Sequence, residues 1–189
     1  MRREPSSPSR VRAFLGPLAQ RPSPTAGAAA VASSGALWAA LCLVLAAGGH
    51  EPAVTLVPIP RADYYAAQAL FVVPVLLALW TLCAAVAYRL ARALGGTGSF
   101  GGTANAIGIA LALPLAVLFL VPDFVAYGLA GFDALGLVVR VTAPLSFAAT
   151  LWLATIAVGV ACSVTGWRAF VAAAAGGIAQ ALVGGILLR

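Results

Sequence analysis

The single histidine, His50, stands beside Glu51, a pair able to shuttle a proton or to give one ligand to a metal. Cys42, Cys83 and Cys162 fall in separate apolar stretches, and none has a second Cys or a His at ligand spacing, so they read as small packing residues. The stretch from Gly95 to Thr103, GGTGSFGGT, spells G-x-G-x-x-G at Gly96, Gly98 and Gly101. Asp123 follows at about the distance where a dinucleotide-binding unit places its ribose-binding acid. Hydroxyls recur at Thr142, Ser146 and Thr150, which puts them on one face of a helix. Ser33, Ser34 and Ser163 have no nameable base near them, and neither G-x-S-x-G nor H-E-x-x-H occurs.

Whether any of these groups can react depends on the elements that carry them. The chain has 189 residues, 62% hydrophobic and 8% charged, with a mean hydropathy of +1.03, whereas a soluble domain has roughly a quarter of its residues charged. Such a chain cannot cover a water-facing surface, and lipid is its natural solvent. Five apolar stretches are each near the roughly 20 residues that cross a hydrocarbon layer as a helix: Ala26 to Ala47, Tyr65 to Leu90, Thr103 to Val121, Val141 to Ser163 and Arg168 to Leu188. The fold class that follows is all-α, an integral membrane bundle of five transmembrane helices. Pro74, Pro114 and Pro144 fall inside the second, third and fourth and predict kinks rather than breaks.

The domains expected are a disordered basic tail over residues 1–25, rich in Pro, Ser and Arg, and a transmembrane domain over 26–189. The formal charge of +6 does not point to nucleic acid, because the arginines crowd the amino terminus and the span ends. With the tail in the cytoplasm, Arg89, Arg92 and Arg168 join Arg2, Arg3, Arg10, Arg12 and Arg21 on one side, leaving Arg61, Arg140 and Arg189 opposite. This bias predicts a cytoplasmic amino terminus and a carboxyl terminus outside. The tail would add contact with anionic lipid, roughly 1 kcal/mol per Arg near the surface. His50 then lies in a solvated outer loop, and Pro122 to Arg140 forms an outer segment able to lie in the interface as a short helix.

Placement decides the glycine motif. A dinucleotide fingerprint needs a strand before it and a βαβ unit around it, but LWTLCAAVAYRLARAL precedes it as the end of a span. Asp123 would emerge on the far side of the membrane. Gly95, Gly96, Gly98, Phe100, Gly101 and Gly102 are therefore read as a cytoplasmic turn, with Phe100 dipping into the interface beside Arg89 and Arg92. No catalytic residue, cofactor or metal site is assigned, and the chain is read as a non-enzyme.

No Asp, Glu or Arg is predicted near the middle of a span, unlike ion-coupled transporters. The stripe Thr142, Ser146 and Thr150 can line a small polar cavity or back-bond to its own helix. Small residues repeat every four positions at Ala104, Gly108, Ala112 and Ala116, and at Ala169, Ala173, Gly177, Ala181 and Gly185. Such rows let helix backbones approach closely, so Gly108, Ala112, Gly177, Ala181 and Gly185 are candidates for helix packing, within the chain or across a homodimer.

From Ala26 to Arg189 the chain resembles the Yip domain family of Ypt/Rab-interacting membrane proteins. The resemblance rests on five spans, LGGTGSFGGT after the second, Pro114 midway along the third, and LWLATIAVGVACSVTGWRAF joining the fourth to the fifth. In that last stretch Trp152, Gly159 and the polar turn before Arg168-Ala169 follow the family's pattern. The resemblance implies a polytopic helical bundle with a cytoplasmic amino terminus. Eukaryotic relatives bind small GTPases and one another in vesicle traffic. Their acidic Asp-Leu-x-Gly-Pro segment is missing here and the tail is basic, so a GTPase partner is not carried over. The expected role is a membrane-organising scaffold or adaptor in a bacterial cytoplasmic membrane, with the bilayer, other membrane proteins or a second copy as partners. The alternative is a transporter or permease subunit working through the polar stripe.

Overall fold

The computed structural model describes residues 10–52, 55 and 58–187, with side chains as far as 184. Helix α1 spans Arg10–Ala19, α2 Thr25–Ala47, and α3 Tyr64–Ala93 after a single 3-10 turn at Arg61–Asp63. α4 spans Phe100–Pro114 and runs through a π-helical stretch, Leu115–Leu120, into α5, Val121–Ala130. α6 is Phe132–Cys162 and α7 Trp167–Leu187. Five of these units are long and apolar enough to cross a membrane: α2, the 3-10 turn with α3, the α4–α5 unit, α6 and α7. The bundle is all-helical among the described residues.

Two segments differ from the sequence reading. Residues 10–19, expected within a disordered tail, form α1, because Leu15 reaches an apolar seat on α4 and α6 and is 2% exposed. Residues 122–130 and 132–140, expected as an outer interfacial segment, instead lengthen the third and fourth spans. Gly131 alone separates them, at φ 78° and ψ −171°, a conformation open in practice to glycine. Each of the two spans thus has 31 residues, about 45 Å of helix, and reaches beyond a 30 Å hydrocarbon layer.

The prolines are absorbed inside continuous helices. At Pro114, which lacks the N–H that would bond one turn back, the ladder changes register into the π stretch. In the same turn the Ala112 carbonyl, which also accepts from Leu115 N–H, accepts from Ser34 Oγ of α2 at 3.2 Å, a cross-helix bond of the kind found between membrane helices.

Helix ends explain the glycines. Gly95, at φ 91°, closes α3 in a Schellman motif: Gly96 N–H donates to Ala91 O at 2.9 Å and Gly95 N–H to Arg92 O at 3.1 Å. The same pair of bonds closes α2, from His50 N–H to Leu45 O and from Gly49 N–H to Ala46 O, with Gly49 at φ 68°. Ser99 caps α4 by accepting from Gly102 N–H at 3.1 Å.

Candidate functional site

Two regions each gather several polar side chains of the bundle, while Gln68, which accepts from Cys42 Sγ at 3.3 Å, lies in neither. The first is the end that carries the glycine turn. Asn105, 0% exposed, accepts from Gly27 N–H at 2.9 Å and donates from Nδ2 to the carbonyls of Ser23 at 2.6 Å and Leu18 at 3.5 Å. One amide thereby ties α4 to the start of α2 and to the link from α1. Trp80 Nε1 of α3 donates to Ala104 O at 2.9 Å. The Thr103 hydroxyl donates to Ser99 O and lies 3.3 Å from Cys162 Sγ on α6.

Of the residues read as the turn, Gly95, Gly96 and Gly98 lie in the link between α3 and α4, whereas Phe100, Gly101 and Gly102 form the first turn of α4; all but Gly95 fit into this knot. Thr97 N–H donates to Cys162 O at 2.9 Å. A Cβ on Gly98 would overlap the Ala161 carbonyl, one on Gly101 the Pro22 carbonyl, and one on Gly102 the Ala19 carbonyl. Gly96 sits against Cys162 in the same way. Gly95 is free of such neighbours and serves the Schellman turn alone. Phe100 packs edge-on to Tyr88, with ring centroids 5.8 Å apart, and remains partly exposed. The Arg168 guanidinium reaches Leu94 O at 3.4 Å, so the polar turn before α7 meets the glycine turn.

The second region is a chamber of about 550 Å³. α6 contributes Ser146, Phe147 and Thr150 to it, and α7 contributes Gly177, Gln180 and Ala181. Its remaining walls are apolar residues of α2, α3, α4, the π stretch, α6 and α7, together with Ser34 and Cys83. Of the expected stripe, Ser146 and Thr150 face this chamber, whereas Thr142 is buried, donates to Val138 O of its own helix at 3.1 Å, and does not line it. Gln180 joins from α7; its Oε1 is buried and accepts no hydrogen bond among the described residues. A lone Gln in an alanine-rich span carries no periodic signal, so the sequence reading passed over it.

Small residues sort into two groups. Gly108 packs on α2, where a Cβ would stand 2.5 Å from Gly27 Cα, and Ala112 is buried in the same seam. On α7 the close approach to α3 is made by Gly176, whose Cβ would stand 2.6 Å from Cys83 O, and by Gly184 against Leu79. Gly177 meets nothing within 4 Å, and Ala181 is exposed beside the chamber. The surroundings of Gly185 lie outside the described residues. The row read in the sequence is buried at Ala169 and Ala173, and beyond them the close approach shifts by one residue, to Gly176 and Gly184. A row of every fourth residue drifts around a 3.6-residue helix, and the run Ala172 to Gly177, AAAAGG, offers small side chains at every register.

The end of the bundle that carries His50 departs further from expectation. His50 is packed rather than solvated: its ring stacks on Phe132 at 4.5 Å and its Nε2 lies 3.3 Å from the Tyr127 hydroxyl. Asp123, expected in an outer loop, is 4% exposed within the lengthened third span, and its Oδ1 accepts no hydrogen bond among the described residues. Asp123 and the glycine turn stand at different ends of that span, so the dinucleotide reading of the motif has no geometry to support it.

The family profile described as Yip1 domain matches residues 7–188. No curated protein and no solved structure matches the chain. The match takes in the whole bundle and α1, which the resemblance drawn from Ala26 onward did not include. With nearly its full length matched, the chain belongs to the Yip1 domain family of membrane proteins.

Proposed function

We propose that the protein is a non-enzymatic scaffold or adaptor that organises other components of a bacterial cytoplasmic membrane, with its amino terminus and glycine turn on the cytoplasmic side. The observation that carries this reading is where the interior polar groups go. Asn105, Trp80 and Ser34 bond to backbone groups of neighbouring helices, so they assemble a rigid bundle rather than gather an acid, a base and a nucleophile. What such a bundle offers to others is its lateral surface, where Trp152, Trp167 and Phe170 are exposed. Purification of the full chain in mild detergent should bring down a second copy or one recurrent membrane protein. A chain that elutes only as a bare monomer from every native membrane preparation counts against the proposal.

One observation favours a second reading, a transporter or permease subunit: Ser146 and Thr150 face the 550 Å³ chamber. Substrate flux in proteoliposomes that falls on Ser146→Ala and Thr150→Val is the result that reading requires.

A further inference from the structure

We propose that the chamber between α6 and α7 is a binding site for an apolar, lipid-soluble molecule that carries a hydroxyl part-way along its length. Its size lies within the roughly 300–1,000 Å³ of small-molecule sites. Its described lining contains no charged side chain, so an ion or a zwitterionic headgroup would enter without a counter-charge to offset its desolvation. An apolar body fits these walls.

The polar groups set the remaining chemistry. α6 and α7 are antiparallel and joined by the short turn between Cys162 and Trp167. At 1.5 Å per residue, Thr150 stands about 18 Å along α6 from that turn and Gln180 about 20 Å along α7, with Ser146 one helical turn beyond Thr150. All three therefore fall within about 6 Å of one height, away from both ends of α6 and in the interior of a 30 Å layer. Gln180 Oε1 is buried without a donor among the described residues. Among the described residues Ser146 and Thr150 make no side-chain hydrogen bond, unlike Thr81, Thr142 and Thr155, which donate to their own helices.

A plain acyl chain would leave the Gln180 acceptor unpaired. A hydroxyl satisfies it, donating to Oε1 while its own oxygen accepts from a chamber hydroxyl or from the Gln180 NH2 group. The way in is lateral: Phe147 of α6 and Ile178 and Ala181 of α7 line the chamber and are exposed toward lipid. The site stands apart from the scaffolding reading, since neither the knot at Asn105 nor the surface at Trp152 takes part in it.

The test uses the full chain in phosphatidylcholine nanodiscs and two photoreactive probes, a diazirine-bearing alkane and the same chain with a mid-chain secondary hydroxyl. The alcohol should label α6 and α7 peptides about fivefold more than the alkane, the value of one net hydrogen bond. Gln180→Leu should bring that ratio close to one while leaving alkane labelling unchanged. Ser146→Ala should lower the ratio in part. Equal labelling of the wild-type chain by both probes overturns the proposal and requires no variant to fold. It is equally overturned by labelling spread over the outer surface, by a ratio insensitive to both substitutions, or by crosslinks showing that a second copy fills the gap between α6 and α7.

Discussion

Asn105 of α4 holds Gly27 of α2 by a 2.9 Å bond from the Gly27 N–H to the Asn105 Oδ1, at a point where Gly27 has no room for a Cβ. Such an atom would stand 2.7 Å from Ala104 O and 2.8 Å from Asn105 Cα. Amide and glycine thus depend on each other. Asn105→Ala leaves the buried Gly27 N–H without its partner, at about 1–3 kcal/mol, and removes the bond to the Ser23 carbonyl, while the Leu18 carbonyl keeps its bond from Arg21 N–H. Thermal unfolding in detergent should show the loss, and limited proteolysis should cut the link between α1 and α2 first.

Gly176 and Gly177 are neighbours with opposite surroundings. Gly176→Ala drives a Cβ to 2.6 Å from the Cys83 carbonyl and should destabilise the bundle by about 1–3 kcal/mol. Gly177→Ala meets nothing within 4 Å and should raise stability by about 0.5–1 kcal/mol through helix propensity. Paired unfolding curves of the two variants check both signs at once.

Asp123 is a buried carboxylate with one oxygen that has no partner among the described residues, which costs folding energy. Asp123→Asn removes the ionisable group and keeps the shape. It should unfold at a higher temperature than the wild-type chain, by about 1 kcal/mol. A lower unfolding temperature would mean that the carboxylate has a partner worth more than its desolvation.

The helix order places Thr97 and Gly166 at one end of the bundle and Gly131 at the other. Single cysteines there, in a background with Cys42, Cys83 and Cys162 replaced, should react with a membrane-impermeant thiol reagent from opposite faces. Thr97→Cys and Gly166→Cys should share the cytoplasmic side with a tag placed at the amino terminus.

The five spans were legible because each is a long apolar run, and length and hydropathy alone identify such runs. A chain reversal within GGTGSFGGT was legible from its place between two of them, though its last residues, from Phe100 on, open α4. Its packing was not, because the carbonyls of Pro22, Ala19 and Ala161 that exclude a side chain there come from remote parts of the sequence. Asn105 and Gln180 went unread for a related reason: a single amide in an apolar helix shows neither periodicity nor a motif, and its partners are set by which helices meet. α1 was missed because composition describes an isolated segment, whereas Leu15 gains its burial from α4 and α6. The ends of the third and fourth spans beside Gly131 were read as a separate interfacial segment because Asp123, Asp133 and several glycines interrupt the apolar run. Local helix geometry with a reversal at Gly131 accommodates all of them.

The scaffolding proposal is tested most directly by photo-crosslinking in the native membrane, with a photoreactive amino acid placed in turn at Trp152, Trp167 and Phe170, all exposed on the bundle's surface. The account predicts a discrete adduct of constant mass from at least one of these positions, containing either a second copy of the chain or the same membrane protein in every preparation. Monomer crosslinked only to lipid at all three positions would contradict it.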